Sequence, residues 1–442
     1  MPVAANSYLK LIDLIQLDNW SVQTLLESKV HYSQRFELAK IGEFLIKNKN
    51  VVAIADDIVY RRITVKINNN GVVLRDTEKG IRIGTKRQYL AKSGQFIISK
   101  IDARNGAFGI VPDELDGAVV TNDFPLFDVN ENKINPHFLL LITTTKEFIK
   151  FAQSCSSGTT NRQRMDIDLF LNQKIPLPSL FEQNKIVSDY NNKIKEADDL
   201  QNEARKLQGE IDKYLFQELG LAKENIIEKI KGLQFVNFKD INRWDLTFLS
   251  QQKNSNKSAF PLIAYGDLFL SLNNGIPARN YTDIGVRFLK VSDIKKNYID
   301  DSNIKFIEKF KASDYIPKNT LLITRKGTVG NSVFIKEDKK YTASSEIFII
   351  KLNAVVHGDY FAEINLSEFI QKQYIEKNTG TIMPSLSQEK LKEILIPLPP
   401  LEKQKEISVH ISLIKNRMRE LNGLSIEKKN EANQNFEKAI FN

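Results

Sequence analysis

The chain is predicted to be α+β: two similar mixed α/β globular domains, each followed by one long helix, related as an internal repeat. Three observations carry this. The stretch IPLPSLFEQNKI at Ile175–Ile186 returns as IPLPPLEKQKEI at Ile396–Ile407, a period of 221 in a chain of 442 residues. At an offset of 224, FELAKIGEFL (Phe36–Leu45) aligns with FPLIAYGDLF (Phe260–Phe269), and Trp20 aligns with Trp244, the only other tryptophan. Each motif also opens a long polar stretch with an apolar seam. A period this long excludes a solenoid and indicates two halves joined head to tail.

The motif is a helix start. Ile-Pro-Leu-Pro is extended, because residues before proline are driven from the α region. Ser179 lies three residues before Glu182, the capping-box spacing, and Pro400 replaces the serine in the second copy, where a first helical turn tolerates it. Beyond the first motif, Ile186, Tyr190, Ala197, Leu200, Leu207 and Ile211 form a largely a/d seam that Lys193 interrupts. Beyond the second, Ile407, Ile411, Ile414, Met418 and Leu421 do the same, and the seam weakens around Lys428 and Lys429. Gly220 is a stop signal. A helix of about 40 residues is roughly 60 Å long. A narrow apolar stripe cannot bury itself alone, so the two helices are predicted to pair with each other; packing of each on its own globule is the alternative.

The globular parts follow parallel plans. Ile58–Asp76, with alternation at Ile63, Val65 and Ile67 and Asn70-Gly71 between apolar runs, predicts a hairpin. The second half offers a strand at Val286–Val291. Gly94–Val111 and Asn319–Ile335 each predict strand, basic Gly/Asn turn, strand. Val119–Val129 and Thr342–Leu352 are strand-like, and a helical segment follows each, at Pro136–Phe151 and Tyr360–Tyr374. Polar turns at Ser156–Met165 and Asn378–Ser387 precede the two motifs, and Leu221–Gly232 predicts a short joining helix.

Composition narrows the function. Net charge is +9 and the pI about 9.1, which favours an acidic partner such as nucleic acid. The single cysteine, Cys155, excludes an internal disulfide framework and suits a reducing cytoplasm. Four scattered histidines provide no metal-ligand spacing. The N-terminus has no secretory pattern, and no apolar run is long enough for a bilayer, so no membrane partner is expected. P-loop, dinucleotide and nucleophile-elbow signatures are absent. Asn135-Pro136-His137-Phe138 resembles the adenine-methyltransferase N-P-P-[FY] loop but has histidine third and no preceding glycine-rich cofactor strand, and is taken as a helix-start turn.

What remains is a set of basic turns on β scaffolds. In the first half these are Arg61, Arg62, Lys66, Lys86, Arg87, Lys100, Arg104, Asn105, Arg162 and Arg164. In the second they are Arg279, Asn280, Arg287, Lys290, Arg325, Lys326 and Asn331. Arginine can pair with guanine edges and asparagine with adenine edges, whereas lysine more often meets phosphate. Any one of them taken singly could be a solvated surface charge; two sets in matching places form a DNA-binding candidate.

With these residues in view, the chain resembles the specificity subunit of type I restriction-modification systems over nearly its whole length. The doubled IPLP-x-L-x-x-Q-x-x-I start carries the resemblance, with SKIDARNGAFGIVP (Ser99–Pro112), SSGTTNRQRM (Ser156–Met165) and GTIMPSLS (Gly380–Ser387). It implies target-recognition domains at 1–174 and 221–395, the latter with a linker, and conserved helical spacers at 175–220 and 396–442, paired as an antiparallel coiled coil. It implies that each domain reads half of a bipartite site in double-stranded DNA and that the helices set the unread spacer. Two modification subunits would dock on the helices and methylate adenine with S-adenosylmethionine, and restriction subunits would join them. This chain would then bind without catalysing and hold no cofactor or metal itself. Rival readings are a fused methyltransferase or nuclease, a coiled-coil scaffold with protein partners only, and a specificity subunit of a related assembly that is not type I.

Overall fold

The computed structural model describes residues 32–157, 163–221, 258–277, 280–378 and 384–441. Trp20, Trp244 and most of the predicted joining helix at Leu221–Gly232 lie outside them. The chain forms two compact units, Met1–Asp199 with Leu424–Asn442, and Leu200–Gly423. Each unit therefore takes in part of both long helices.

In the first unit the strands are β1 (Leu38–Lys40), β2 (Leu45–Lys47), β3 (Val51–Ala53), β4 (Val59–Val65), β5 (Val72–Lys79), β6 (Arg87–Leu90), β7 (Phe96–Ile98), β8 (Phe108–Ile110), β9 (Val119–Val120) and β10 (Leu126–Val129). Helices α1 (Pro136–Thr143) and α2 (Lys146–Ser154), strands β11 (Ser156–Ser157) and β12 (Arg164–Met165), helix α3 (Ile167–Asn172) and strand β13 (Lys174–Pro176) lead into the long helix α4 (Leu180–Glu218). A four-stranded sheet runs β2-β10-β7-β8 and a five-stranded sheet β3-β6-β9-β4-β5. Strand β7 lies between two of the cores in this unit. Phe96 and Ile98 face α1–α3, and Ile97 faces the other sheet, the period-2 alternation of a strand buried on both faces. The helix-side core is aromatic: Phe96, Phe108, Phe127 and Phe148 all lie within 6.4 Å of Phe170 in tilted, stacked and edge-on pairs.

In the second unit β14 (Leu262–Ala264), α5 (Tyr265–Leu268), β15 (Phe269–Asn274), β16 (Val286–Leu289), β17 (Phe306–Ile307), β18 (Thr320–Thr324), β19 (Ser332–Ile335), β20 (Tyr341–Ala343) and β21 (Ile347–Leu352) precede α6 (Gly358–Asn365), α7 (Glu368–Lys377), α8 (Gln388–Lys392), β22 (Leu395–Pro397) and the second long helix α9 (Leu401–Phe441). The sheet β15-β21-β18-β19 repeats the order of β2-β10-β7-β8. Pairing of β14 with β22 likewise repeats that of β1 with β13. Among the described residues the remaining sheet differs, with three strands, β17-β16-β20, in place of five.

The strand-like stretches at Val119–Val129 and Thr342–Leu352 each hold strands of two sheets. Turns closed by Phe124 N–H to the Thr121 carbonyl (3.0 Å) and by Ile347 N–H to the Ser344 carbonyl (2.9 Å) divide them. The predicted helices are divided too. The hydroxyls of Thr143, Thr144 and Thr145 bond back to carbonyls three residues earlier, and Thr145 Oγ1 caps the second helix by accepting from Phe148 N–H at 3.3 Å. Ser367 Oγ turns back to the Ile364 carbonyl at the matching break.

Within each unit the long helices run antiparallel. In the first, Tyr190 packs edge-on against Phe436 at 6.2 Å, and its hydroxyl donates to Asn433 Oδ1 at 3.1 Å. Ala197 is fully buried, and its carbonyl accepts from Ser425 Oγ at 2.8 Å. Lys193, the break in the seam, pairs with Glu431 at 2.7 Å, and Lys428 and Lys429 pair with Glu196 and Asp198 at 2.9 and 3.1 Å. The lysines hold the carboxyls of Glu196 and Glu431 below their ordinary range. In the second unit Ile211, Ile407 and Ile411 share one core, Tyr214 stacks on His410 at 4.1 Å, and Glu218 meets Lys403 at 2.7 Å. Leu421 is fully buried; Ile186, Leu200, Leu207, Ile414 and Met418 are half-buried.

The helix starts are tied to the globules by one buried side chain per unit. Gln183 accepts from Asn135 N–H at 2.7 Å and donates to the carbonyls of Lys133 (3.2 Å) and Pro178 (2.9 Å). Gln404, one period later, accepts from His357 N–H at 2.8 Å and donates to the carbonyls of Val355 (3.0 Å) and Pro399 (2.8 Å). The capping box forms as predicted, with Ser179 N–H to Glu182 at 3.2 Å and Glu182 N–H to Ser179 Oγ at 3.3 Å.

Replacing either glutamine by leucine strands one N–H and two carbonyls. Each of Q183L and Q404L is expected to cost about 1–3 kcal/mol in chemical denaturation. Substituting the exposed Gln208 by alanine is expected to stay within about 0.5 kcal/mol. Equal effects at all three positions would contradict the tie.

Candidate nucleic-acid interface

The two basic turns sit at one topological position. In the first unit the chain leaves β7, passes Lys100 and a 3-10 turn at Ala103–Asn105, and returns as β8. Lys100 N–H donates to the Asp123 carbonyl, and its own carbonyl accepts from Met165 N–H, both at 2.9 Å. In the second unit Arg325 N–H donates to the Glu346 carbonyl, and its carbonyl accepts from Leu386 N–H, again both at 2.9 Å. Each turn thus meets the loop between two sheets and the segment that precedes the motif. A cation and an acid, Lys100 with Asp123 and Arg325 with Glu346, occupy matching places.

Several predicted side chains are engaged within the fold. Arg62 forks onto Asp76 across the β4–β5 pair at 2.6 and 2.8 Å. Arg61 donates to the carbonyls of Glu114 (2.7 Å) and Asp116. Lys86 meets Asp56 at 2.5 Å and the Gly80 carbonyl at 2.7 Å. Arg287 is nearly buried beside Asp301, donates to the Asp300 carbonyl at 3.1 Å and lies over the Tyr341 ring. Lys290 holds the Asn303 carbonyl at 3.0 Å, and Asn331 donates to the Ile294 carbonyl at 3.0 Å. These groups organise loops. Arg164 forks onto Asp123 at 2.9 and 3.3 Å and holds that carboxyl below its usual range. That latch is intact above the ordinary aspartate range near 3.9 and is lost as pH falls through the depressed value.

Others are exposed or only partly engaged. Lys66, Arg87, Asn105 and Asn280 are exposed, and no side-chain bond engages them among the described residues. Lys100 is half-buried. Desolvation lowers its pKa first, Asp123 opposes this, and Lys47 and Arg164 lower it further, so three cations gather around one acid. Arg104 holds Gln163 Oε1 at 2.7 Å. Arg325 lies over Phe348 at 5.4 Å and donates to the Leu386 carbonyl at 3.3 Å, and exposed Lys326 approaches Glu346 at 3.7 Å. Arg162 and Arg279 lie outside the described residues. Asn135 behaves as a helix cap, its side chain accepting from His137 and Phe138 N–H at 2.8 and 3.4 Å. Among the described residues there is no cluster of three or more metal-ligating side chains, and no helix is long and apolar enough to cross a membrane.

Sequence reasoning missed the glutamine ties, although Gln183 and Gln404 stand at the same position of both motif copies. It also passed over Asn68 and Asn69, which form the β4–β5 tip and bond through their N–H groups to the carbonyls of Asn105 and Gly106 at 2.8 and 3.0 Å.

Comparison with known proteins adds a second line. The family model for the type I restriction modification DNA specificity domain matches twice, at residues 33–208 and 263–430. The putative type I restriction enzyme MjaX specificity subunit of Methanocaldococcus jannaschii is 24% identical over 297 residues, covering 64% of this chain and 62% of that protein. The type I restriction enzyme EcoBI specificity subunit of Escherichia coli is 22% identical over 247 residues, covering 53% and 49%. The chain thus spans about half to three fifths of the length of these curated relatives. A chain solved in work on complex assembly and conformational transition of the type I R-M system superposes with a TM-score of 0.57 at 15% identity, covering 92% of this chain and 97% of that one, a likeness of fold.

The partner bonds separate two kinds of cation. Arg62→Ala is expected to lower stability by about 1 kcal/mol, because Asp76 loses its fork but keeps solvent and Arg75 at 3.4 Å, whereas Arg87→Ala is expected to have no measurable effect, within about 0.5 kcal/mol. Denaturation of both variants checks this, and equal losses would contradict it.

Proposed function

This chain belongs to the family of type I restriction-modification DNA specificity domains, and from that premise we propose that it is the DNA-specificity subunit of a type I restriction-modification complex. Each half reads one half of a bipartite site in double-stranded DNA. The observation that supports this best is the basic turn repeated at one topological position, Lys100–Asn105 and Arg325–Asn331, on sheets of the same strand order. Repeated scaffolds with different turns suit two different half-sites. Lys66, Arg87 and Lys100 in the first half and Lys326 in the second supply charge for phosphates, and Arg104, Asn105, Asn280 and Arg325 are suited to base edges. Arg162 and Arg279 remain candidates on sequence alone.

We take 1–174 and 221–395 as the reading domains and 175–220 and 396–442 as the helical spacers. The helices set the number of unread base pairs and receive two modification subunits, which methylate adenine with S-adenosylmethionine. Restriction subunits complete the assembly, which acts on DNA in the cytoplasm. The chain contributes recognition, and the chemistry belongs to its partners.

Exchanging residues of about 20–165 for those of another specificity subunit is expected to change one half of the methylated sequence and leave the other half and the gap intact. Arg104→Ala and Arg325→Ala are each expected to weaken cognate binding by the assembled complex by about 1–3 kcal/mol. A swap that altered both halves, or unchanged affinity and salt dependence in both variants, would contradict the assignment.

A further inference from the structure

The tip of the β4–β5 hairpin and the turn after β7 are about 35 residues apart in sequence and form one surface. Lys66 N–H closes the tip onto the Gly71 carbonyl at 2.9 Å. The N–H groups of Asn68 and Asn69 then donate to the carbonyls of Asn105 and Gly106 at 2.8 and 3.0 Å, a short ladder outside any sheet. Two glycines make the approach possible. A Cβ at Gly106 would stand 2.7 Å from Asn69 Oδ1, and one at Gly109 would stand 2.6 Å from Val72 Cγ2. Asn68 and Asn69 both adopt left-handed backbone, φ 57° and 58°, which asparagine tolerates better than most residues.

The side chains on this surface divide sharply. Asn69 folds over Gly106, and Asn70 Nδ2 donates to the Ile67 carbonyl at 2.9 Å. Asn68 and Asn105, joined through their backbones, are both exposed, and neither carboxamide has a bond among the described residues. The ladder engages the N–H groups of Asn68 and Asn69, so two exposed, unengaged carboxamides are carried on backbones joined by a direct hydrogen bond. A carboxamide matches the N6 and N7 edge of adenine in the major groove, and a braced backbone reduces the loop ordering that binding would otherwise cost.

We propose that Asn68 and Asn105 form one base-reading pair in the first half, specific for adenine edges, and that the hairpin tip is as much a determinant of that half-site as the turn after β7. This rests on the DNA-reading role proposed above and assigns it to a locked, composite surface. Asn68 is therefore a reading residue, and Gly106 and Gly109 are positioning residues.

The test uses the full chain assembled with its modification subunits. The probe is a DNA duplex carrying the site found by methylation mapping, together with duplexes substituted at each base pair of either half. Asn68→Gly removes the side chain, carboxamide included, and remains compatible with the left-handed backbone at this position. Cognate binding by N68G and by N105A is expected to weaken about 10-fold or more. Discrimination is expected to be lost at one or two base pairs of the first half-site and kept throughout the second, with unchanged thermal stability for N68G. The inference is overturned if the wild-type complex discriminates at every position and N68G still does so, because asparagine 68 would then serve the backbone alone. It is also overturned if both variants weaken all duplexes equally, the mark of a phosphate contact. A wild-type complex with no sequence preference would sink the DNA-reading proposal itself, and this inference with it.

Discussion

One buried carboxamide in each unit organises how helix and globule meet. A long helix emerging from a globule has two weak points, the unpaired N–H groups of its first turn and the loop groups it covers. Gln183 and Gln404 address the second. Each accepts one N–H from the start of the helix that follows the central sheet and donates to two carbonyls, one in that loop and one in the Pro-rich entry. A buried amide with every bond made gives direction as well as stability, because no rotation preserves all three. The entry strand adds a second fixed contact, Leu177 N–H to the Glu37 carbonyl and Leu398 N–H to the Pro261 carbonyl, both at 2.9 Å. With the entry held, the antiparallel pairing of helix segments in each unit can be selective, and Lys193 with Glu431 and Lys403 with Glu218 complete it.

Around that common frame the halves diverge where recognition would. The four-stranded sheet keeps its strand order in both units, while the sheet beyond it has, among the described residues, five strands in one and three in the other. The turn in the first unit is braced by a neighbouring hairpin tip. In the second it is braced from the core, where Asn365, fully buried and accepting from Tyr265 and Tyr374, donates to the Gly330 carbonyl at 2.9 Å, and Gln371 donates to the same carbonyl at 3.1 Å. Rigid turns reached by different means suit two readers with different targets.

The frame was legible in the sequence and the wiring was not. The doubled motif, the capping box at Ser179 and Glu182, the hairpin at Ile58–Asp76 and the paired strand-turn-strand units all followed from periodicity and turn chemistry. The division of Val119–Val129 was hidden because both pieces are apolar, and periodicity cannot tell one strand from two that serve different sheets. The role of Gln183 was hidden because two of its three partners, Asn135 and Lys133, lie 48 and 50 residues upstream. Among the basic residues named as DNA-binding candidates, Arg62, Arg287 and Lys290 have acidic or carbonyl partners across a strand pair or in the next loop, which composition does not reveal. Lys66, Asn105 and Lys326 stayed exposed, as turn residues do, and Asn68 was passed over because its sequence context already explained it as a turn.

The most direct test is to map adenine methylation across the genome in cells with and without this chain, the modification subunits being present in both. A bipartite motif, two short defined halves around a fixed run of unspecified bases, is predicted to be methylated only when the chain is made. Methylation that persists unchanged without it, or a motif with no gap, would contradict a recognition subunit built from two tethered readers.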